Sequence, residues 1–318
     1  MLGVLITSKC NISCRHCCND SHPKHKGSVE FEEIRKLIDG ALLVRSIREI
    51  GISGGEPFLF LELLHRIAAY AGSSGLSASV TTNGFWGASP GILPHLARLK
   101  AEGVRAINIS SSIFHQEFLR PERLIAAVRA ANAADLQVTV NVVETSSFGR
   151  AEIEAILGDL ADVVAFVVMP LLPAGRAAVD THLTEYGDGD AVPTGTCRRH
   201  FLKLAVDRDG DAYPCCSPGG FTPALRLGSA RQEGIPAMVA AARRNRLLAI
   251  LDEVGPSFFL PFLRASNHPG LPERFSDQCH LCHVMLSDPE LSAVVSTATD
   301  QLFDEFELLD HQHAIAVQ

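Results

Sequence analysis

Six short apolar runs recur along the first half of the chain, and amphipathic segments separate them. This alternation restricts the fold more than any other feature. The runs Gly3–Thr7, Glu49–Ser53, Ser77–Thr82, Ala106–Ser111, Gln137–Val143 and Val163–Met169 have the length and residue types of strands. After the first run, Phe31, Ile34, Leu37, Ile38, Ala41 and Leu42 return every three or four residues, the spacing of a helix with one buried face. Ser28 is its expected N-cap, and Glu30, Glu32 and Glu33 suit the positive end of its dipole. Further helices are expected near Leu61–Ala71, Gly91–Ala101, Pro121–Ala134 and Ala151–Leu160. Such repeats pair as parallel strands with right-handed crossovers. Six units fall short of the eight in a closed barrel. The expected fold is therefore α/β, a partial (β/α)6 TIM-type barrel, with a flat doubly wound sheet as the alternative. In both, function gathers at the C-terminal ends of the strands.

The rhythm changes after Met169. Pro170, Pro173, Gly175, Gly187, Gly189, Pro193 and Gly195 mark an irregular segment. A strand at Phe201–Asp207, a turn at Asp209-Gly210 and a short return strand to Tyr213 then read as a hairpin. Two or three helices are expected to follow, near Pro236–Leu251 and Pro289–Leu309. This places a core domain at 1–185 and a second domain at 186–318.

With 318 residues, 47% of them hydrophobic, the chain has ample core material. Its net charge of −8 argues against a nucleic-acid partner. The most apolar run, Val163–Leu172, is too short to span a bilayer, so no membrane partner is expected. No signal peptide is visible, and the expected location is the cytoplasm. No separate peptide-binding domain is expected before the first strand. Nine cysteines fall in three tight groups, a pattern of metal binding or chemistry rather than of a disulfide framework.

Cys10, Cys14 and Cys17 follow the first strand directly, in KCNISCRHCC. Thiolates in threes and fours suit iron–sulfur clusters or zinc, and three ligands on a four-iron cluster leave one iron open. The second strand ends in Ser53-Gly54-Gly55-Glu56-Pro57, where glycines allow close backbone approach and a glutamate can accept from an ammonium group. This pair of motifs resembles the radical S-adenosylmethionine (SAM) superfamily. The resemblance implies a [4Fe–4S] cluster on Cys10, Cys14 and Cys17, whose open iron chelates SAM. It implies SAM contacts at Gly54, Gly55 and Glu56, and at His16, which stands where the superfamily carries a ring near the adenine. It also implies contacts at the later strand ends: Thr82, Asn83, Ser110, Ser112 and Asn141. Ser112 stands where related enzymes often carry aspartate.

Cys197 and Cys215, with Cys279 and Cys282, supply four further thiols, enough to close a zinc site or a second four-iron cluster. The sequence alone does not separate these metals. The region resembles the twitch cap, a shortened relative of the SPASM domain, and that likeness implies one auxiliary [4Fe–4S] cluster and two clusters in all. His280 and His283 flank the last pair and are not expected as ligands.

Cys216 then remains beside Cys215, and Cys18 beside Cys17. A thiol S–H bond is weak enough to give a hydrogen atom to a carbon radical. DGDAYPCCSP (Asp209–Pro218) resembles the epipeptide-type radical SAM epimerases, as do CRHCC, TTNGFWG (Thr81–Gly87), the Ile109–His115 stretch and FSDQCHLC (Phe275–Cys282). The likeness covers nearly the whole chain. It implies that Cys216 is the hydrogen donor in an L-to-D epimerisation of a ribosomally made precursor peptide. An electron donor such as flavodoxin or ferredoxin is a further expected partner. Lys203 departs from this pattern, standing where the epimerases carry an acidic residue. Two readings compete: a two-electron peptide oxidation forming a cross-link or ring, with the auxiliary cluster as electron acceptor, and a zinc-binding interaction module without catalysis.

Overall fold

The computed structural model describes residues 1–180, 183, 186, 189–197 and 203–316, with the side chains of 218 and 306–316 excepted. Six strands form a parallel sheet in sequence order: β1 (Leu2–Leu5), β2 (Glu49–Ser53), β3 (Ser77–Thr82), β4 (Val104–Ser111), β5 (Gln137–Glu144) and β6 (Ala165–Pro170). Helices α1 (Phe31–Leu42), α2 (Leu61–Ser73), α3 (Ile92–Ala101), α4 (Pro121–Ala133) and α5 (Arg150–Leu157) connect them. This is the expected partial barrel. One detail differs. The N-cap of α1 is Glu30, without a side-chain cap bond, and not Ser28.

Strand alternation sorts side chains to two faces. Val4, Ile52, Val80, Ile107 and Val140 pack with Ile34, Leu64, Leu96 and Val128 of the helices in the main core. The opposite, inward face is small or polar: Gly3, Gly51, Ser53, Ser79, Thr81, Asn108, Ser110, Thr139 and Asn141. These positions meet across the ladders, as in Thr81↔Asn108, Asn108↔Thr139 and Ser110↔Asn141. Most of them are half-buried rather than sealed, which leaves a polar lumen inside the curved sheet.

The hairpin is β7 (Leu204–Val206) and β8 (Asp211–Tyr213), turning at Gly210 with φ 88°. Phe201 and Leu202, expected in the first strand, lie outside the described residues, as does residue 185 at the expected boundary. The hairpin joins the main sheet: β7 runs parallel to β1 in the register Leu2↔Leu204, Gly3↔Ala205, Val4↔Val206. With β9 (Gly228–Ser229) the sheet has nine strands, in the order β6-β5-β4-β3-β2-β1-β7-β8-β9.

The longer helices that follow are α6 (Ile235–Arg244), α7 (Arg246–Glu253), α8 (Gln278–Ser287) and α9 (Pro289–Ala316). The helical stretch expected near Pro236–Leu251 is divided at Asn245, whose side chain caps α7 by accepting from Leu248 N at 3.1 Å. The helix α8 was not expected. A second core of Leu248, Leu251, Phe259, Leu263, Phe275, Leu281, Met285 and Val295 unites this region. No helix among the described residues is long and apolar enough to cross a membrane.

Candidate functional site

The cysteine loop leaves the C-terminal end of β1 and is clamped from two sides. On one side, Gly55 N donates to Thr7 O at 2.7 Å and Glu56 N to Lys9 O at 2.9 Å. A Cβ on Gly54 would come within 2.4 Å of Thr7 O, and one on Gly55 within 2.1 Å of Lys9 O. The two glycines are thus needed for contact with the cysteine loop itself. On the other side is the segment after β6. Gly175, at φ 59°, would carry a Cβ into the carbonyls of Cys17 and Cys18. Arg176 N donates to Cys17 O at 3.0 Å, its Nε to Cys14 O at 3.0 Å, and its Nη2 to Ser21 O. No sequence pattern marks Arg176, because its partners are main-chain carbonyls about 160 residues away.

Cys10 and Cys14 are buried and Cys17 is half-buried, and the three thiols lie close enough for Cys10 and Cys17 to act electrostatically on Cys14. Burial pushes the Cys10 thiol up to about 11 and the Cys14 thiol higher still. Such thiols ionise at neutral pH only against a strongly positive partner, as a metal centre provides. Two N–H groups already face the sulfurs: Ser21 N to Cys17 Sγ at 3.3 Å and Asn83 Nδ2 to Cys10 Sγ at 3.7 Å. Three convergent thiols with N–H support fit an iron–sulfur cluster with three protein ligands. Burial, with Cys17 nearby, pushes the Cys18 thiol up to about 12.

Other expected SAM contacts separate into two groups. Ser110 and Asn141 face each other across β4 and β5 on the lumen side, and Asn83 reaches Asn11 Oδ1 at 2.8 Å in the cysteine loop. These three border one space. Glu56, Thr82 and Ser112 do not open onto it. The Glu56 carboxylate is fully buried and accepts from Thr82 Oγ1, Phe58 N and Asn83 N at 2.8, 3.0 and 2.8 Å. Burial raises its pKa to about 7. Three neutral donors hold the carboxylate that was expected to meet an ammonium group. Thr82 also accepts from Trp86 Nε1 and Gly84 N, which makes Trp86 part of the core. Ser112 is fully buried with its hydroxyl 2.8 Å from His115 Nδ1. His16 stacks on Phe114, with ring centroids 4.8 Å apart.

Cys197, Cys215, Cys279 and Cys282 line one small pocket together with Gly219, Gly220 and Leu251. Cys279 and Cys282 lie on the first turns of α8, where the Asp277 cap accepts from His280 N at 2.8 Å. They are helical, not on an irregular knuckle. A Cβ on Gly220 would fall 2.2 Å from Cys215 Sγ, and one on Gly219 2.6 Å from Cys279 O. The four-thiol pocket tolerates no side chain there. Burial pushes Cys215 up to about 12 and Cys282 further. Four thiols lining one pocket can close either a tetrahedral zinc site or a four-iron cluster. His280 Nδ1 accepts from Ser276 N, so its ring is spent on the backbone.

Cys216 is exposed, although its neighbour Cys215 is enclosed. It acts electrostatically on the Met1 amino group, as do Glu49 and Lys203. Cys216 is thus within electrostatic reach of the start of β1, whereas the Cys10–Cys17 loop leaves the strand's other end.

Residues 4–157, which hold the parallel strands and the three-thiol loop, match the model of the Radical SAM superfamily. The chain is 25% identical over 297 residues to "Putative peptide biosynthesis protein YydG" of Bacillus subtilis strain 168, covering 91% of this chain and 92% of that one. Two solved structures share its fold at 14% sequence identity and a TM-score of 0.55. One is anSMEcpe with bound AdoMet and the Cp18Cys peptide, matched over 93% of this chain and 99% of that one. The other is SuiB of Streptococcus suis bound to S-adenosylmethionine, matched over 92% of this chain and 71% of that one.

Proposed function

We propose that this protein inverts L residues to D in a ribosomally made peptide, with Cys216 as the hydrogen-atom donor. The observation that carries this reading is Cys216 itself, an exposed thiol adjacent to Cys215 but outside the four-thiol pocket, free to serve as a hydrogen-atom donor. Full-length similarity to a peptide biosynthesis protein supports a peptide substrate.

When bound, the cluster and SAM supply a 5′-deoxyadenosyl radical that removes a Cα hydrogen. Cys10, Cys14 and Cys17 would hold the cluster. Main-chain carbonyls at Gly54 and Gly55, with Asn83, Ser110 and Asn141, would hold SAM. Cys216 then breaks its S–H bond and forms a new C–H bond on the opposite face of the planar carbon. The peptide gains and loses one hydrogen atom and is not oxidised. The sulfur is left as a thiyl radical, which one electron and one proton restore. Cys197, Cys215, Cys279 and Cys282 would hold an auxiliary [4Fe–4S] cluster next to that sulfur.

The test is turnover in deuterated water with a candidate ribosomal precursor peptide. An epimerase leaves a D residue carrying one deuterium, because the thiol exchanges with solvent. A product lacking two hydrogens would instead establish oxidative cross-linking or ring formation. Cys216→Ala should keep both clusters and still cleave SAM, but yield almost no D product. Undiminished epimerisation by that variant would overturn the assignment.

A further inference from the structure

A sulfur and two imidazoles meet at the edge of the cysteine loop: the ligating atoms of Cys14, His16 and His115 all lie within 4.8 Å of one another. They come from two separate parts of the fold, the loop after β1 and the single helical turn Ile113–Gln116 after β4. His16 Nδ1 is buried with no hydrogen-bond partner, an uncommon and costly state for a polar atom. Its ring cannot easily turn away, being stacked on Phe114 and packed edge-on against His115, each at 4.8 Å between centroids. Ser112 Oγ, 2.8 Å from His115 Nδ1, fixes the second ring, as outer partners do for metal-binding histidines.

We propose that Cys14, His16 and His115 form a site for a single borderline divalent cation of the zinc class, with an open fourth position, in the chain that lacks its loop cluster. Zinc bound about 2.3 Å from sulfur and about 2.0–2.1 Å from nitrogen brings its ligands to roughly 3.3–3.8 Å of one another, within reach of small rotamer changes. Cys14 cannot serve this ion and an iron–sulfur cube together, so zinc and the cluster exclude each other. Occupation by zinc is then a block to maturation built into the loop. This inference does not depend on what the enzyme does to its substrate.

The test uses the full-length chain, reduced, anaerobic and stripped of iron, in a Cys215→Ser background that cripples the four-thiol pocket. Zinc is titrated against a chromophoric chelator, and the zinc edge is read by X-ray absorption. One tightly held zinc with one sulfur and two nitrogen ligands is expected. His16→Ala and His115→Ala should each weaken it by about 100-fold or more, and Ser112→Ala by about 10–100-fold. Zinc-loaded protein should refuse the loop cluster on reconstitution, and His115→Ala should accept it in the presence of zinc. A zinc edge showing sulfur alone, or affinity unchanged by both histidine substitutions, would place the ion on Cys10, Cys14 and Cys17 and overturn the proposal. Absence of tight zinc would overturn it equally. The ligand count is read with the trio intact, so a misfolded histidine variant does not decide the matter.

Discussion

The hydroxyl of Thr82 holds three groups at once: it donates to Glu56 and accepts from the Trp86 ring and from Gly84 N. Thr82→Val keeps the shape and removes the oxygen, stranding a buried indole N–H and a backbone N–H. At about 1–3 kcal/mol for each unsatisfied group, the variant should lose on the order of 3 kcal/mol in urea unfolding. An unchanged midpoint would show the network to be idle. Glu56 adds a pH dependence. Its folded pKa of about 7 lies above its ordinary 4.5, so between those values the folded chain binds a proton that the unfolded chain does not. Stability attributable to this group therefore falls as pH rises through that window, by up to about 3 kcal/mol. Glu56→Gln should flatten this slope, as seen by comparing unfolding midpoints near pH 4.5 and above pH 7. Parallel profiles would contradict the assigned burial. The GGEP motif was legible as a motif. The direction its glutamate faces was not, because burial and bonding partners come from strands that the sequence does not align.

Elements show the same division. Six strands and five helices were readable because their hydrophobic spacing is local, and most bounds moved by only one or two residues. The α8 helix escaped notice because its cysteines, histidines and short length mask helical periodicity. Also illegible was the strap after β6, which reads as a proline- and glycine-marked linker yet grips the cysteine loop through Arg176. Arg176→Ala removes guanidinium bonds to two carbonyls and should free the loop. The expected outcome is faster loss of the loop cluster to a chelator, with the four-thiol pocket unaffected. Arg176→Lys should be intermediate, since an ammonium restores the charge but not the forked geometry. Equal release rates in all three proteins would remove the strap from any role in holding the cluster. On α8, Asp277→Ala deletes the cap that positions Cys279 and should cost about 0.5–2 kcal/mol, read as a lower thermal midpoint.

At the scale of the whole molecule, the change of rhythm after Met169 suggests two separable domains, but the main core draws on both sides of residue 185. Leu204, Val206, Ala212, Ala230, Ile235 and Met238 pack into it, and β7 covers the edge of β1. This pairing was invisible in the sequence, since a parallel partner about 200 residues away leaves no local trace. A chain ending at residue 185 would lose that cover and expose a flat, apolar strand edge, a template for aggregation. Burial of Leu204, Val206, Ile235 and Met238 alone contributes roughly 6–12 kcal/mol at about 1.5–3 kcal/mol per side chain. That is comparable with the whole stability of an ordinary domain, about 5–15 kcal/mol. The truncated chain is therefore expected to be insoluble or to lack a cooperative thermal transition, while a chain truncated after α8 keeps the β1–β7 pairing and stays folded. A soluble 1–185 fragment with a sharp transition would show that the barrel half is self-sufficient. The hairpin that leads to Cys216 would then be an appendage rather than a structural wall. If the fragment fails as expected, the strand that completes the barrel and the segment that presents the thiol are one element, and neither can be moved without the other.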